Sequence, residues 1–263
     1  MDLSILAGEV KDDLTRAMPK AGAYVKKSRF HDCHDSALLT IRENYVLLGV
    51  FDGVSGAPYA RLASERALQA IRSYVEKNFS NKPLEELLEA ALQEANYALT
   101  QGATTATTAL ILNNGEYYYA NVGDSHLYMA CGREVKRLTR EDRDSSSLTT
   151  YLADRMVVTR ALGGLLHGME KGHGRLARGD FLFALTDGFI DNLYIETEGG
   201  RVLDTSGKKD LEHLFSKRKT LEEMIQVIGQ EIKKRMQHPM ESVHYGSVLV
   251  PKEDDAAMAI LKF

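Results

Sequence analysis

Two apolar runs in the sequence end in an aspartate that is followed by glycine. Asp52 follows the run 45–51, and Asp187 follows the run 181–185. Aspartate and glycine are common turn residues, so a turn explains either pair taken alone. Two buried strands that deliver carboxylates to one space would place repelling charges together unless cations neutralise them. The two pairs together therefore indicate a site for divalent metal ions.

Further carboxylates occur in comparable positions. Asp124 lies at a break between two strand-like runs, and Asp191 follows Asp187 by four residues. Asp254 and Asp255 directly precede the last apolar run of the chain. A ligand set made of oxygen atoms suits a hard cation better than it suits structural zinc. We therefore expect Mg²⁺ or Mn²⁺.

Periodic apolar residues predict the elements that position these side chains. Strands are predicted at 45–51, 104–112, 116–122, 125–131, 181–185 and 256–263. Helices are predicted at about 58–79, 83–99 and 221–236, where apolar residues recur at helical spacing. Helix pairs between hairpin-linked strands favour one α+β domain with helical layers over sheets. The polar and glycine-rich region at about 140–175 is expected to be a mobile flap with connections.

Composition excludes several classes of protein. The 263 residues carry a net charge of −4, so there is no overall basic field for nucleic acid or for an anionic membrane surface. Two cysteines cannot form a disulfide framework, and the N-terminal residues lack the pattern of a signal peptide. No apolar run approaches the roughly 18 residues of a membrane span. We expect a cytoplasmic protein without membrane or nucleic-acid partners.

Six segments in a fixed order resemble the motifs of the metal-dependent Ser/Thr protein phosphatases of type 2C. The segments are Val50–Gly56, Gly102–Thr105, Ala120–Ser125, Thr159–Gly163, Gly179–Asp191 and Asp254–Asp255. The resemblance extends from about residue 26 to residue 263 and is to the compact, bacterial-like members. It implies a single domain over 1–263, a four-layer α-β-β-α sandwich of two antiparallel sheets with helices on both outer faces. It also implies a monomer.

The resemblance further implies roles for individual residues. Asp52 is expected to bridge two metal ions, and the backbone carbonyl of Gly53 to bind the second ion. The remaining ligands that the resemblance implies are Asp187 and Asp254 for the first ion, Asp35 near the second, and Asp124 and Asp191 with Asp187 for a third. Catalysis is expected to depend on Asp52, Asp187 and Arg29, with Arg29 binding the phosphate.

The implied activity is hydrolysis of phosphoserine and phosphothreonine in proteins, in opposition to a Ser/Thr kinase. Two or three Mn²⁺ or Mg²⁺ ions supply a metal-bridging hydroxide, which attacks phosphorus in line. Two alternatives stay open at this point. One is a non-catalytic pseudophosphatase that serves as a binding module, and the other is a related hydrolase of small phosphate esters.

The chain departs from the family pattern near its N-terminus. His34 stands where the family has an acidic or amide residue, and Arg29 is one residue farther from Asp35 than usual. Lys26 or Lys27 could replace Arg29 as a point charge on phosphate. The cluster of His31, Cys33 and His34 is an alternative zinc site, although its spacing is not that of a typical one.

Overall fold

The elements of the fold are defined in a computed structural model that describes all residues except 19, 142, 144–145, 156, 165, 167, 217–219, 238–241 and 245; for 242–244 it describes the backbone alone. The strands in this part of the chain are β1 (Asp13–Met18), β2 (Ala21–Lys26), β3 (Ser36–Ile41), β4 (Tyr45–Phe51), β5 (Ala106–Leu112), β6 (Glu116–Val122), β7 (His126–Cys131), β8 (Glu134–Arg137), β9 (Glu170–Arg175), β10 (Phe181–Leu185), β11 (Ile195–Glu198), β12 (Arg201–Asp204), β13 (Ser242–His244), β14 (Ser247–Leu249) and β15 (Ala256–Lys262). The helices are α1 (Ala60–Asn78), α2 (Leu84–Ala98), α3 (Leu148–Asp154), α4 (Asp187–Ile190), α5 (Lys208–Ser216) and α6 (Leu221–Gln237).

Two large antiparallel sheets pack face to face. One has the strand order β1-β2-β15-β10-β7-β8, and the other has the order β3-β4-β5-β6-β9. Their facing side chains form a common core that includes Val25, Leu39, Leu48, Leu182 and Ala259. A smaller sheet with the order β12-β11-β14-β13 is formed by residues that follow α4 in the sequence.

Helices cover the outer face of each large sheet. The apolar faces of α1 and α2 pack on the five-stranded sheet, with Leu68 and Leu92 among the buried residues. On the other side, α5 and α6 pack on the six-stranded sheet through residues that include Leu214 and Ile228. The resulting order of layers, α-β-β-α, confirms the predicted α+β sandwich.

The strongest sequence patterns coincide with observed elements. Strands β4, β6 and β10 have the predicted bounds, and α6 exceeds its predicted range by one residue. The hairpin of β1 and β2, the small sheet and β9 were not predicted. Within the predicted flap region 140–175, residues 142, 144–145, 156, 165 and 167 lie outside the described residues.

Strand β9 has a sequence that does not favour a strand, because it is charged and contains two glycines. Its backbone pairs with β6 as the edge of the five-stranded sheet. A Cβ at Gly172 would lie 2.4 Å from the ring of Tyr119, and one at Gly174 would lie 2.5 Å from the hydroxyl of Tyr117. The glycines thus make room for aromatic side chains of the neighbouring strand.

None of the helices in the described part of the chain is long and apolar enough to cross a bilayer.

Candidate metal centre

Asp52 is held in place through its backbone by two threonines. The backbone N–H of Thr105 and the hydroxyl of Thr104 both donate to the carbonyl of Asp52, each at 2.8 Å. The N–H of Asp52 in turn donates to the hydroxyl of Thr105 at 3.1 Å, and that hydroxyl contacts Ser125 Oγ at 2.9 Å. The end of β4 is therefore tied to the segment that carries Asp124.

The glycines that follow Asp52 and Asp187 provide space rather than unusual backbone angles, since neither has a positive φ. A Cβ on Gly53 would lie 2.4 Å from the carbonyl oxygen of Ala60, and one on Gly188 would lie 1.6 Å from that of Asp255. The Asp-Gly pairs thus allow another part of the backbone to approach the site closely.

Thr186 joins three segments behind the site. Its hydroxyl donates to Oδ2 of Asp35 at 2.7 Å and accepts the N–H of Ala257 at 2.8 Å. Asp35 precedes β3, Thr186 follows β10 and Ala257 lies in β15. Carboxylates that are far apart in the sequence consequently meet at one end of the two large sheets.

The carboxyls of Asp52 and Asp35 form no ion pair with a cation in the described part of the chain. Burial raises the pKa of each carboxyl well above its ordinary value, and neighbouring carboxylates add to the effect. For Asp52 these neighbours include Asp35, Asp187 and Asp254. The carboxyl of Asp52 also interacts directly with that of Asp187, and the contact shifts the pKa of both groups. Two acids in such contact share a proton or a metal ion.

Lys252 lies between two of the predicted ligands of the first ion. Its Nζ is 2.9 Å from Oδ2 of Asp187 and 2.9 Å from Oδ2 of Asp254. Burial opposes ionisation of Asp187, but Lys252 and Arg143 hold its pKa below the ordinary value. Burial and the charge of Asp187 raise the pKa of Asp254 to about 6. Lys252 therefore neutralises this side of the site only in part.

Two arginines contact the carboxylates predicted to bind a third ion. Arg143 Nη2 lies 3.0 Å from Oδ2 of Asp124, and Arg143 Nη1 donates to Oδ1 of Asp191. Arg155 Nε lies 3.1 Å from Oδ2 of Asp191. Burial nevertheless raises the pKa of Asp124 to about 6, with a further contribution from Asp187. A third ion would have to share Asp124 and Asp191 with these guanidinium groups.

Arg29 lies beside the segment that carries Asp254. Its side chain is 53% exposed, and its Nε is 3.4 Å from Oε2 of Glu253. The ammonium group of Lys26 is buried and donates to Glu253 Oε1 at 3.0 Å and to the carbonyl of Asp254 at 3.1 Å. Lys26 is therefore not free to bind phosphate, whereas the exposed guanidinium of Arg29 is accessible to it.

The donor atoms fit divalent cations. The site presents carboxylate oxygens, which Mg²⁺ and Mn²⁺ prefer. Oδ1 of Asp124 is buried and has no hydrogen-bond partner among the described residues. This atom and the Asp52 carboxyl have the properties expected of ligands for such a cation.

The structure brings together the carboxylates that the sequence singled out. They are Asp35, Asp52, Asp124, Asp187, Asp191 and Asp254, which interact through their charges or through shared cations. Lys252, Arg143, Arg155 and Glu253 were missed. Lys252 and Glu253 adjoin Asp254 in sequence, which could have drawn attention to them, but no local pattern points to Arg143 or Arg155.

A comparison with known families gives this geometry its context. The family model described as protein phosphatase 2C matches residues 28–240, which contain the predicted carboxylate ligands other than Asp254. The chain belongs to the protein phosphatase 2C family. A curated relative, the probable protein phosphatase 2C 62 of Arabidopsis thaliana, is 30% identical over 167 residues. That alignment covers 63% of this chain but 22% of the relative, so this protein phosphatase 2C chain matches about a fifth of that protein's length.

Solved structures share the fold of this protein phosphatase 2C chain. The Ser/Thr phosphatase Stp1 of Staphylococcus aureus superposes with a TM-score of 0.69 at 18% identity, over 94% of this chain and 96% of Stp1. The Ser/Thr phosphatase PstP/Ppp of Mycobacterium tuberculosis gives 0.63 at 16% identity, over 95% and 98% of the two chains. At these identities the similarity establishes the architecture.

Proposed function

We propose that this protein phosphatase 2C domain hydrolyses phosphoserine and phosphothreonine in proteins with two bound Mn²⁺ or Mg²⁺ ions. The observation that carries the proposal is the Asp52 carboxyl, which lies among further acids that include Asp35 and Asp187 and has no cationic partner among the described residues. Such a site gains most from divalent cations. Because the proposed reaction removes phosphate from serine and threonine, the domain would oppose a Ser/Thr kinase.

The ligands divide into two groups around Asp52. Asp187 and Asp254 would complete the first site, and the carbonyl of Gly53 with Asp35 would contribute to the second. When bound, such ions would lower the pKa of a water nucleophile and would polarise the phosphoryl oxygens.

The protein's own residues hold these groups in position and bind the substrate. The backbone bonds of Asp52 to Thr104 and Thr105 fix it before substrate arrives, so little reorganisation is needed. Arg29 is exposed and would bind the phosphate with its guanidinium. Cys33 is an unsuitable nucleophile, because burial raises the pKa of its thiol far above the ordinary value.

The contacts of Arg143 favour two ions over three. Its guanidinium already bridges Asp124 and Asp191, which are two of the three ligands implied for a third ion. A guanidinium at this position supplies positive charge without a metal. We therefore propose that Asp124 and Asp191 mainly position Arg143.

Phosphatase assays test the main proposal directly. Purified protein with Mn²⁺ is expected to hydrolyse p-nitrophenyl phosphate and a phosphothreonine peptide, and EDTA is expected to stop both reactions. A higher kcat/KM on the peptide would support a protein substrate, whereas a preference for the small ester would favour the small-ester alternative. Clean protein without EDTA-sensitive hydrolysis would overturn the proposal.

The internal cations favour a second candidate function. Lys252, Arg143 and Arg155 partly neutralise the carboxylates, as expected if the domain had become a metal-free binding module. Calorimetric titration with Mn²⁺ separates the two functions. Uptake of two ions supports the enzyme, and an absence of uptake supports the pseudophosphatase.

A further inference from the structure

Two histidines and an aspartate form a cluster beside the carboxylates already described. The rings of His31 and His34 are stacked with centroids 4.7 Å apart and planes 11° from parallel. The candidate ligand atoms of His31, His34 and Asp255 all lie within 4.8 Å of one another. Neither histidine belongs to the ligand set proposed for the phosphatase site, and neither does Asp255.

The carboxylate of Asp255 is fixed by backbone donors. The N–H of Ser28 donates to its Oδ1 at 2.6 Å, and the N–H of His34 donates to its Oδ2 at 2.7 Å. The side chain is buried, while the ring of His31 above it is about one third exposed. Nδ1 of His31 lies 3.7 Å from Oδ2 of Asp255, which is longer than a hydrogen bond. At this distance the two groups can form an ion pair when His31 is protonated, or can share a bound cation.

Each imidazole is oriented by a contact of its Nδ1 atom. Nδ1 of His31 contacts the carbonyl of Asp32 at 2.8 Å, and Nδ1 of His34 contacts Oγ of Ser55 at 3.2 Å. Contacts of this kind fix the ring of a metal-binding histidine and leave its second nitrogen for the ion. The supporting groups of a metal site are thus present around both rings.

We infer that His31, His34 and Asp255 bind one transition-metal ion of the Zn²⁺ class, separate from the Mn²⁺ or Mg²⁺ sites. Imidazole nitrogen favours Zn²⁺ and similar ions over Mg²⁺, and two histidines with one carboxylate are an established zinc ligand set. Three protein ligands leave one coordination position open to water or to an incoming anion.

The arrangement corrects the zinc cluster expected from the sequence. Cys33 lies between the two histidines in sequence, but its side chain is 2% exposed and its Sγ contacts the carbonyl of Asp35 at 3.6 Å. Asp255 takes its place in the cluster from 222 residues farther along the chain. An ion at this position would join the segment 28–34 to the start of β15.

Zinc titration in the presence of millimolar Mg²⁺ tests the inference, because Mg²⁺ fills the oxygen sites. The wild-type chain is expected to bind one Zn²⁺ ion, and Co²⁺ is expected to give the intense visible bands of a four-coordinate site with nitrogen ligands. His31→Gln and His34→Gln are each expected to weaken Zn²⁺ binding by at least the roughly 10–100-fold that the loss of a supporting group costs.

The matched control is His173→Gln, which removes an exposed histidine of β9 far along the sequence from the cluster. It is expected to leave the Zn²⁺ affinity unchanged, and circular dichroism checks that all variants are folded. Equal Zn²⁺ affinity in the wild type and in both cluster variants would overturn the inference, as would no Zn²⁺ binding by the wild type. Phosphatase assays are independent of these readouts, so the proposed function can fail or hold separately.

Discussion

The ammonium group of Lys252 lies 2.9 Å from Oδ2 of Asp187. The same nitrogen lies 2.9 Å from Oδ2 of Asp254, so one side chain of the protein bridges two proposed ligands of the first metal ion. A tethered cation competes with a free one for the same carboxylates. The affinity of the site for metal is therefore set in part by how readily Lys252 gives up these contacts.

The substitution Lys252→Met is expected to tighten Mn²⁺ binding by about tenfold or more and to destabilise the metal-free protein. Removing one partner of a buried ion pair leaves carboxylates unpaired, at a cost of about 3–5 kcal/mol. Calorimetry measures the affinity, and urea unfolding in EDTA measures the stability. Lys262→Met, at an exposed position in β15, is the control. Unchanged or weaker Mn²⁺ binding in Lys252→Met would contradict the competition.

Asparagine substitutions separate the ligands of the two-ion site from the residues around Arg143. Asp52→Asn and Asp187→Asn are expected to lower kcat/KM by about 1000-fold or more, a loss of about 4 kcal/mol of transition-state stabilisation. Asp124→Asn and Asp191→Asn are expected to weaken turnover and to raise the Mn²⁺ concentration required. Steady-state assays at several Mn²⁺ concentrations measure both effects. Equal, mild losses in all four variants would argue against this assignment.

The pKa of Asp254 predicts how its contribution to stability depends on pH. Its folded pKa of about 6 lies above the ordinary value of 3.8, so the folded protein holds this proton more tightly. The stabilisation from this group is therefore present below about pH 4 and is lost as the pH rises to about 6. In EDTA, Asp254→Asn is expected to gain stability relative to the wild type across this interval.

Added Mn²⁺ is expected to reverse that order at neutral pH, because asparagine is the poorer ligand. Urea unfolding between pH 4 and pH 7.5, with EDTA and with Mn²⁺, provides the measurement. Asp32→Asn, at an exposed carboxylate, serves as the control. A constant difference between wild type and Asp254→Asn at all pH values would show that Asp254 does not titrate in this range.

Because Gly188 lies very close to Asp255, we expect one added methyl group at position 188 to lower the stability of the fold strongly. A Cβ at Gly188 would lie 1.6 Å from the Asp255 carbonyl oxygen, so Gly188→Ala must move β15 away from α4. We expect a loss of at least about 3 kcal/mol in the free energy of unfolding. Gly164→Ala is the matched control, since nothing lies within 4 Å of its Cβ position. Similar stability of the two variants would contradict the packing.

Local patterns in the sequence predicted the core elements and singled out the aspartates that the fold brings together. Strand β4 is a continuous apolar run and α6 has an apolar stripe. Both patterns correspond to observed elements because burial of those residues drives folding. The aspartates were identifiable because they follow or precede such elements. The departure from the family pattern at His34 was also visible in the sequence, because a histidine stands where the family has an acidic or amide residue.

The missed features depend on contacts between distant segments. Lys252 acquires its role from Asp187, which lies 65 residues away, and Arg143 acquires its role from Asp124 and Asp191. Strand β9 exists because β6 offers it backbone partners, although its own residues do not favour a strand. Asp255 replaced Cys33 in the histidine cluster because folding brings β15 next to the segment 28–34. Local spacing contains none of this information.

The position of β15 affects how the protein can be synthesised. This strand lies inside the six-stranded sheet, between β2 and β10, yet it is made after every other described strand. Residue 256 follows residue 26 by 230 positions, which takes roughly 10 to 50 s at common translation rates of about 5–20 residues per second. Throughout that time one edge of β2, whose residues are all buried in the finished fold, has no partner strand from this sheet. A nascent chain in which β2 has paired only with β1 would expose an open strand edge, and such edges promote aggregation.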